Sequence, residues 1–422
     1  MRESSFVSRD VRRTVVHGAR CALGQGGTAR ASIHIANGRV THIGTEAYQS
    51  SNSACTEIDL DGFLVMPGFI NAHDHLQFAL HPRLADPPYR NYVDWGTDIH
   101  NKFPAAFAKH RNVPKDVRLW WGGLRNLLCG VTTVGHHDPL WPELQREDFP
   151  VRLVRDFGWG HSVALGGDLR RARSITPEGC PFIVHACEGV DERAREELFK
   201  LEAWGLLDAN LVIVHGLAVD RDGAELMRSR RASLIICPSS NEFLFGKLPD
   251  VAVFFGKIVI ALGSDSPLTS EGDLLDEVRF AMRHCGIPPA AAFRMVSDSP
   301  AAMLRLGNAE GSIKVSGVGD LIAVRDTNQN ASDGLRTMSM TDVELVMIGG
   351  SVQLASEAVL TRTPSSETRG LEPLWIDGTV RWVRAPVKDL LRRAEAILGE
   401  GEVRLGGKPV RTPEFPGAKH AC

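Results

Sequence analysis

Four absences narrow this sequence before any motif is considered. An excess of one charge is missing: 48 Lys and Arg stand against 51 Asp and Glu, a formal charge of −3, so no net field draws the chain to nucleic acid or an anionic membrane. No CxxC pair occurs among the eight scattered cysteines (Cys21, Cys55, Cys129, Cys180, Cys187, Cys237, Cys285 and Cys422), which removes the signatures of a structural zinc module or dithiol redox motif and leaves reduced thiols as the expectation. The opening stretch MRESSFVSRDVRRTVVHGAR is charged throughout and lacks the apolar h-region of an export signal. No apolar run has membrane-spanning length, the longest, VAVFFGKIVIALG, being interrupted by Lys257. The expected partner is therefore a small-molecule substrate, with neither nucleic acid nor membrane, for a cytoplasmic protein compatible with homo-oligomerisation.

What is present is apolar material for a large domain and a smaller one: 422 residues, 43% of them hydrophobic. From about Thr14 to Leu64 short strands alternate with turn chemistry, as in ASIHIANGRVTHIG, where Asn37-Gly38 suits a two-residue hairpin turn. Similar signals return after Gly311 in GSIKVSGVGDLIAV and VELVMIGGSVQLA. These ends predict one composite β-sandwich, residues 1–66 with 311–422, the C-terminal part including an irregular tail from GGKPVRTPEF onward. The middle, residues 67–310, alternates apolar runs with amphipathic helical stretches such as DVRLWWGGLRNLL and DERAREELFKLEAWGLL, the pattern of βα units.

The runs PGFINAH, VTTVGHH, PFIVHACE, LVIVHG, SLIICPSS and IVIALGSDS are apolar at successive positions, as strands covered on both faces are. Each ends in polar or ionisable residues, which an α/β fold with a (β/α)8 TIM-like barrel and its site at the C-terminal strand ends would produce. VRLVRDF supplies a further strand and SVAL a weak eighth. The stretch between Asp138 and Pro181 is short for two βα units, so the barrel is expected to be abbreviated around its third and fourth strands.

In a strand, residues two apart share a face. His73 and His75 can thus face one point while Asp74 turns away to a structural task. A single strand-end histidine most simply makes a hydrogen bond. Here His185, His215 and Asp265 end three further strands that would approach the same opening, and five convergent positions are hard to assign to packing. Imidazoles with one carboxylate suit one divalent ion, Zn²⁺ first, with Fe²⁺ and Mn²⁺ as alternatives. Such an ion lowers the pKa of bound water to about 7 and supplies a nucleophile. Asp265 could also take the proton from that water, and Glu188, three residues beyond His185, could carry it to a leaving group rather than sit as a solvated loop residue.

Together PGFINAHDHL, HACE, VHG, CPSSN and LGSDS resemble the amidohydrolase superfamily, in its cytosine deaminase, guanine deaminase and triazine hydrolase branch, over nearly the whole chain. The resemblance implies His73, His75, His185 and Asp265 as ligands of one metal, Glu188 as proton shuttle and His215 as the group polarising substrate or hydroxide. CPSSN, Cys237 to Asn241, is similar to a strand that shapes the pocket. Many members bridge two metals with a carboxylated lysine near the fourth strand. This chain has no lysine between Lys115 and Lys200, so a mononuclear site is expected.

Of the adjacent His136 and His137 only one can face the interior, as a substrate contact or a hydrogen-bonded core residue. The segment QFALHPRLADPPYRNYVDWGTDIH brings His81, Arg83, Tyr89, Arg90, Tyr92 and Trp95 into what reads as a βα loop with little regular structure, able to stack on a planar ring or fork onto a carboxylate, or merely to pack as a flap. Candidate substrate contacts are His81, Arg83, Tyr89, Trp95, His136, His137 and Asn241, with Thr269 and Ser270 as further donors. The expected function is an aminohydrolase acting on a small, nitrogen-containing heteroaromatic compound. The alternative is hydrolysis of a cyclic amide or imidazolone C–N bond, or displacement of another leaving group, at the same metal. A remote one is a non-catalytic scaffold, which would be expected to have lost ligands.

Overall fold

The computed structural model describes residues 13–23, 27–45, 55–270 and 272–413. The tail's last residues, with Cys422, and most of the charged opening stretch therefore lie outside the described residues.

Eight short parallel strands form the barrel. Phe69–Asp74, Val131–His136 and Arg152–Leu153 make one arc. Gly158–Ser162, Phe182–Ala186, Leu211–His215, Ser233–Ile236 and Ile260–Leu262 make the other, with every pairing parallel. A parallel bridge between Asp74 and Asp265 joins the outer edges of the first and last strands. Gly263 makes that closure possible, because a Cβ there would lie 2.6 Å from the Cβ of His73.

The third and fourth strands are separated only by residues 154–157, which leaves no room for a covering helix. This is the abbreviated part of the barrel. The fourth strand is GWGHS rather than the expected SVAL, of which Ser162 ends the strand and Val163, Ala164 and Leu165 form the turn that follows. Its two glycines carry no apolar signal, but they admit close packing: a Cβ on Gly158 would meet Thr176 and one on Gly160 would meet Leu169.

Both chain ends build the second unit. Arg39–Gly44, Ser32–Ala36, Arg13–His17 and Thr56–Asp59 form a four-stranded sheet. Asn37 and Gly38, with φ of 51° and 78°, turn the hairpin between Ser32–Ala36 and Arg39–Gly44. A ten-stranded sheet contains Phe63–Pro67 paired antiparallel to Leu321–Arg325. Val16, Ile33, Ile35 and Ile58 from the first sheet pack on Val65, Leu321 and Met347 of the second, the buried apolar face of a sandwich.

Two expectations of irregular chain are corrected. Residues Tyr92–Lys102 form an α-helix, because the Asn91 side chain caps it by accepting from the amides of Val93 and Asp94. The start of the tail is also ordered: Lys408–Arg411 pairs with Arg404–Leu405. Lys408 Nζ sits 2.8 Å from Asp273 and 2.7 Å from Asp276, fastening the hairpin to the helix that follows the last barrel strand. Among the described residues no helix is long and apolar enough to cross a membrane.

Candidate functional site

The barrel's apolar strands stop where their side chains reach a common opening, and the residues at those stops converge. His73 Nε2 lies 3.1 Å from His185 Nε2, and His75 Nε2 lies 3.4 Å from the same atom. Asp265 Oδ1 is 3.9 Å from His73 Nε2 and 3.8 Å from His75 Nε2. All four side chains are buried.

His185 and Asp265 are oriented by their other polar atoms. His185 Nδ1 donates to the carbonyl of His161 at 2.5 Å, which leaves Nε2 as a lone-pair donor. Asp265 Oδ2 accepts from Ser240 Oγ at 2.9 Å and Thr269 Oγ1 at 3.0 Å, so Oδ1 faces the imidazoles. Behind His75 Nδ1, Asp138 Oδ2 stands at 3.6 Å, itself held by the Gln77 amide. Burial and neighbouring imidazoles push the pKa of His73 and His185 well below the ordinary range. Burial opposes charge on His75 as well, but Asp138 and Asp265 outweigh it and raise that pKa.

Three imidazole nitrogens turn on one another, two of them on rings that burial holds toward the neutral form, an arrangement that a cation would satisfy. Nitrogens ~2.0–2.1 Å from a tetrahedral ion are about 3.3 Å apart, close to the spacings seen here. The three histidines form a His-rich site consistent with one divalent metal ion.

Beside this cluster a second pair faces the same space. Glu188 Oε2 lies 3.7 Å from His215 Nε2, and His215 Nδ1 hydrogen-bonds Asn241 Oδ1 at 3.0 Å. Burial, then the charges of Asp265 and Glu197, raise the Glu188 pKa well above the carboxylate range. Burial lowers that of His215. Cys187, His215 and Asp265 adopt positive φ of 56°, 73° and 50°, strained backbone of the kind that concentrates at working sites. The strand-five end is tied to the capped helix: Tyr92 N donates to Glu188 O at 3.1 Å, and Glu197 accepts from Tyr92 Oη at 2.7 Å and from Cys187 N at 2.8 Å.

Above the cluster opens a cleft of about 410 Å³. His75, His185, Glu188, His215 and Asp265 line its floor, and Phe78, Tyr92, Trp95, Ile99, Phe107 and Leu165 its walls.

The remaining sequence candidates divide. Trp95 lines the cleft, as does Thr269, whereas His81, Arg83, Tyr89, His136, His137, Asn241 and Ser270 are not among the described residues lining it. His81 is buried against Phe78, Phe107 and His110. The Arg83 guanidinium lies over the Phe243 ring and donates to Ser270 O. Tyr89 Oη donates to Asp98 and accepts from Asp86 N. His137 packs inside the barrel, its ring 4.3 Å from that of His185 and its Nε2 at 3.0 Å from Gly160 O. His136 turns the other way, toward Trp141. CPSSN follows strand Ser233–Ile236 as the cap, Cys237, and first turn of helix Pro238–Phe245 rather than being strand, since Pro238 is preorganised for a helix start.

Sequence reasoning passed over Asp138, His161 and Phe78. Asp138 had a usable signal, a carboxylate directly after two histidines at a strand end. His161 had none, because its strand is glycine-rich and apolar patterning there is absent.

Residues 178–352 match the model of the Amidohydrolase family. A 5-methylthioadenosine/S-adenosylhomocysteine deaminase from Haloquadratum walsbyi is 25% identical over 359 residues, 70% of this chain and 80% of that protein. An imidazolonepropionase from Porphyromonas gingivalis is 30% identical over 198 residues, 43% of this chain and 46% of that one. Among solved structures, a zinc-bound adenosine deaminase from Xanthomonas campestris superposes with a TM-score of 0.71 at 16% identity, covering 91% of this chain and 97% of that one.

Proposed function

We propose that this chain is a metal-dependent hydrolase of carbon–nitrogen bonds of the amidohydrolase kind, and within that kind an aminohydrolase that releases ammonia from a small heteroaromatic amine. The observation that carries this is the Glu188–His215 pair, 3.7 Å apart, facing the same floor as His75, His185 and Asp265, with His73 at 3.1 Å from His185.

On this reading those four residues hold one divalent ion, with zinc preferred for its match to three imidazoles and a carboxylate. When bound, the ion lowers the pKa of water and makes it nucleophilic at neutral pH. The chain's own groups manage the protons. Asp265 Oδ1 is free to accept one while Ser240 and Thr269 fix Oδ2. Glu188, whose carboxyl burial biases toward the protonated form, delivers one to the exocyclic nitrogen as its bond to carbon breaks. His215, its Nδ1–H committed to Asn241, presents Nε2 as an acceptor that orients the attacking water. Deamination also agrees with the activity named for the Haloquadratum walsbyi relative.

The match to an imidazolonepropionase favours a second reading, opening of a ring C–N bond by the same groups. Product mass separates the two, since ring opening adds water without loss of ammonia. Glu188→Gln tests the first. It is expected to retain metal and lower ammonia release from a panel of aminopurines, aminopyrimidines, aminotriazines and pterins by ~10²–10⁴-fold. Full activity in this variant would remove Glu188 from the mechanism, and no ammonia from any member would remove deamination.

A further inference from the structure

The cleft walls carry a second kind of information, in what their polar atoms are already doing. Tyr92 Oη donates to Glu197 and accepts from Ala164 N at 2.8 Å. The Trp95 indole N–H donates to Leu84 O at 3.0 Å. Thr97 Oγ1 donates to Val93 O in its own helix, and Thr269 Oγ1 to Asp265. The side-chain donors of these four residues are spent on protein acceptors, and the rest of the wall is ring and aliphatic surface from Phe78, Ile99, Phe107, Leu165 and Leu268.

Charge is arranged the same way. The lining holds two carboxylates, Glu188 and Asp265, and among its described residues no lysine or arginine. The nearby cations are engaged elsewhere. Arg83 stacks on Phe243. Lys102 pairs with Asp98 at 2.7 Å and Asp86 at 3.1 Å. Arg125 is buried against Asp74 at 3.3 Å, and Arg90 pairs with Asp94 at 3.6 Å. Besides the floor histidines and the four wall residues whose donors are spent, the cleft's uncharged polar lining comes from His100, His161 and Ser266. An anionic substituent entering here would lose water without gaining a guanidinium or ammonium partner. A volume of about 410 Å³ is at the small end of ligand sites.

Resting on the aminohydrolase reading, we infer that the site selects uncharged heteroaromatic amines carrying a compact apolar substituent, and rejects analogues whose substituent is a carboxylate or phosphate.

The test uses metal-loaded, full-length protein and two matched series: 5′-methylthioadenosine and adenosine against adenosine 5′-monophosphate, and pterin against pterin-6-carboxylate. Ammonia release is expected from at least one uncharged member, with kcat/KM about 100-fold or more lower for its anionic counterpart. Leu165, 52% exposed at the mouth, can be changed without disturbing the core. Leu165→Arg is expected to raise the anionic-to-neutral ratio of kcat/KM about 10-fold. An anionic member within threefold of its neutral partner in the unmodified protein would overturn the inference and leave deamination standing. If no member releases ammonia, quenching of the emission component lost in Trp95→Phe reports binding of the same compounds. Preferential quenching by the uncharged members would then uphold the selectivity while deamination fails; equal quenching, or none, would overturn it.

Discussion

Two buried polar clusters lie back to back at the end of the first barrel strand, and they are built on opposite rules. On one side Asp74 accepts from Arg125 at 3.3 Å, Asn126 at 2.7 Å, Asn71 at 3.2 Å and Ser264 at 3.3 Å. Arg125 spends its other donors on the carbonyls of Gly272, Asp265 and Ser264, and no side-chain atom of this cluster is left unpartnered. On the other side His73, His75 and His185 turn their Nε2 atoms on one another, and Nδ1 of His73 has no hydrogen-bond partner. Saturation marks the cluster that locks strands together; incompleteness marks the one that needs something else. A buried polar group left unpaired costs about 1–3 kcal/mol, so an open cluster persists only where a ligand or function compensates.

The most severe way to break this contrast is to remove one residue from each side. Asp74→Ala leaves Arg125 buried without its counter-charge and is expected to cost ~3–5 kcal/mol in urea denaturation of the metal-free protein. His73→Ala creates a small cavity but also removes a desolvated imidazole. Its metal-free stability should change by about 1 kcal/mol or less, while metal analysis after loading shows occupancy lost. The reverse pattern, with Asp74→Ala as stable as the parent, would mean that the two clusters do not divide the work in this way.

A milder intervention acts at the seam between the metal cluster and its support. Asp138 faces His75 Nδ1 at 3.6 Å, the place of a carboxylate that orients a metal-binding imidazole. Asp138→Asn should keep the fold and weaken metal affinity ~10–100-fold in chelator competition. Unchanged affinity would reduce Asp138 to a partner of Gln77 alone.

The contrast also explains what could be read from the sequence. The candidate site was legible because its residues stand at the ends of apolar runs: His73, His185, His215 and Asp265 each close a run whose pattern announces burial. Asp74 could be turned away from the metal by strand alternation, but its partners Arg125, Asn126 and Ser264 lie on other elements, and no local pattern pairs them with it. The cleft wall was legible only in part. The aromatic content of the loop after the first strand was visible, but which side chains face inward was decided by the Asn91 cap. That cap starts a helix and aims Tyr92, Trp95 and Ile99 inward while Tyr89 and Arg83 pack behind it. GWGHS escaped because glycines that admit close packing read locally as loop.

A buried imidazole away from the cleft isolates the cost of burial from any gain through a metal. His81 is such a group, and burial pushes its pKa down to about 3. It stays neutral in the folded chain while the unfolded chain takes up a proton below about 6.5. The unfolded state therefore binds more protons between those values, so stability must fall as pH drops through that window. His81 alone accounts for about 1 kcal/mol between pH 7 and 5.5. His81→Phe, a replacement of similar shape in an aromatic neighbourhood, should flatten that part of the profile in metal-free protein and leave stability at pH 8 nearly unchanged. An unaltered slope would show that His81 is already paired by a donor-acceptor network that survives acidification, and would place it with the saturated cluster rather than the open one.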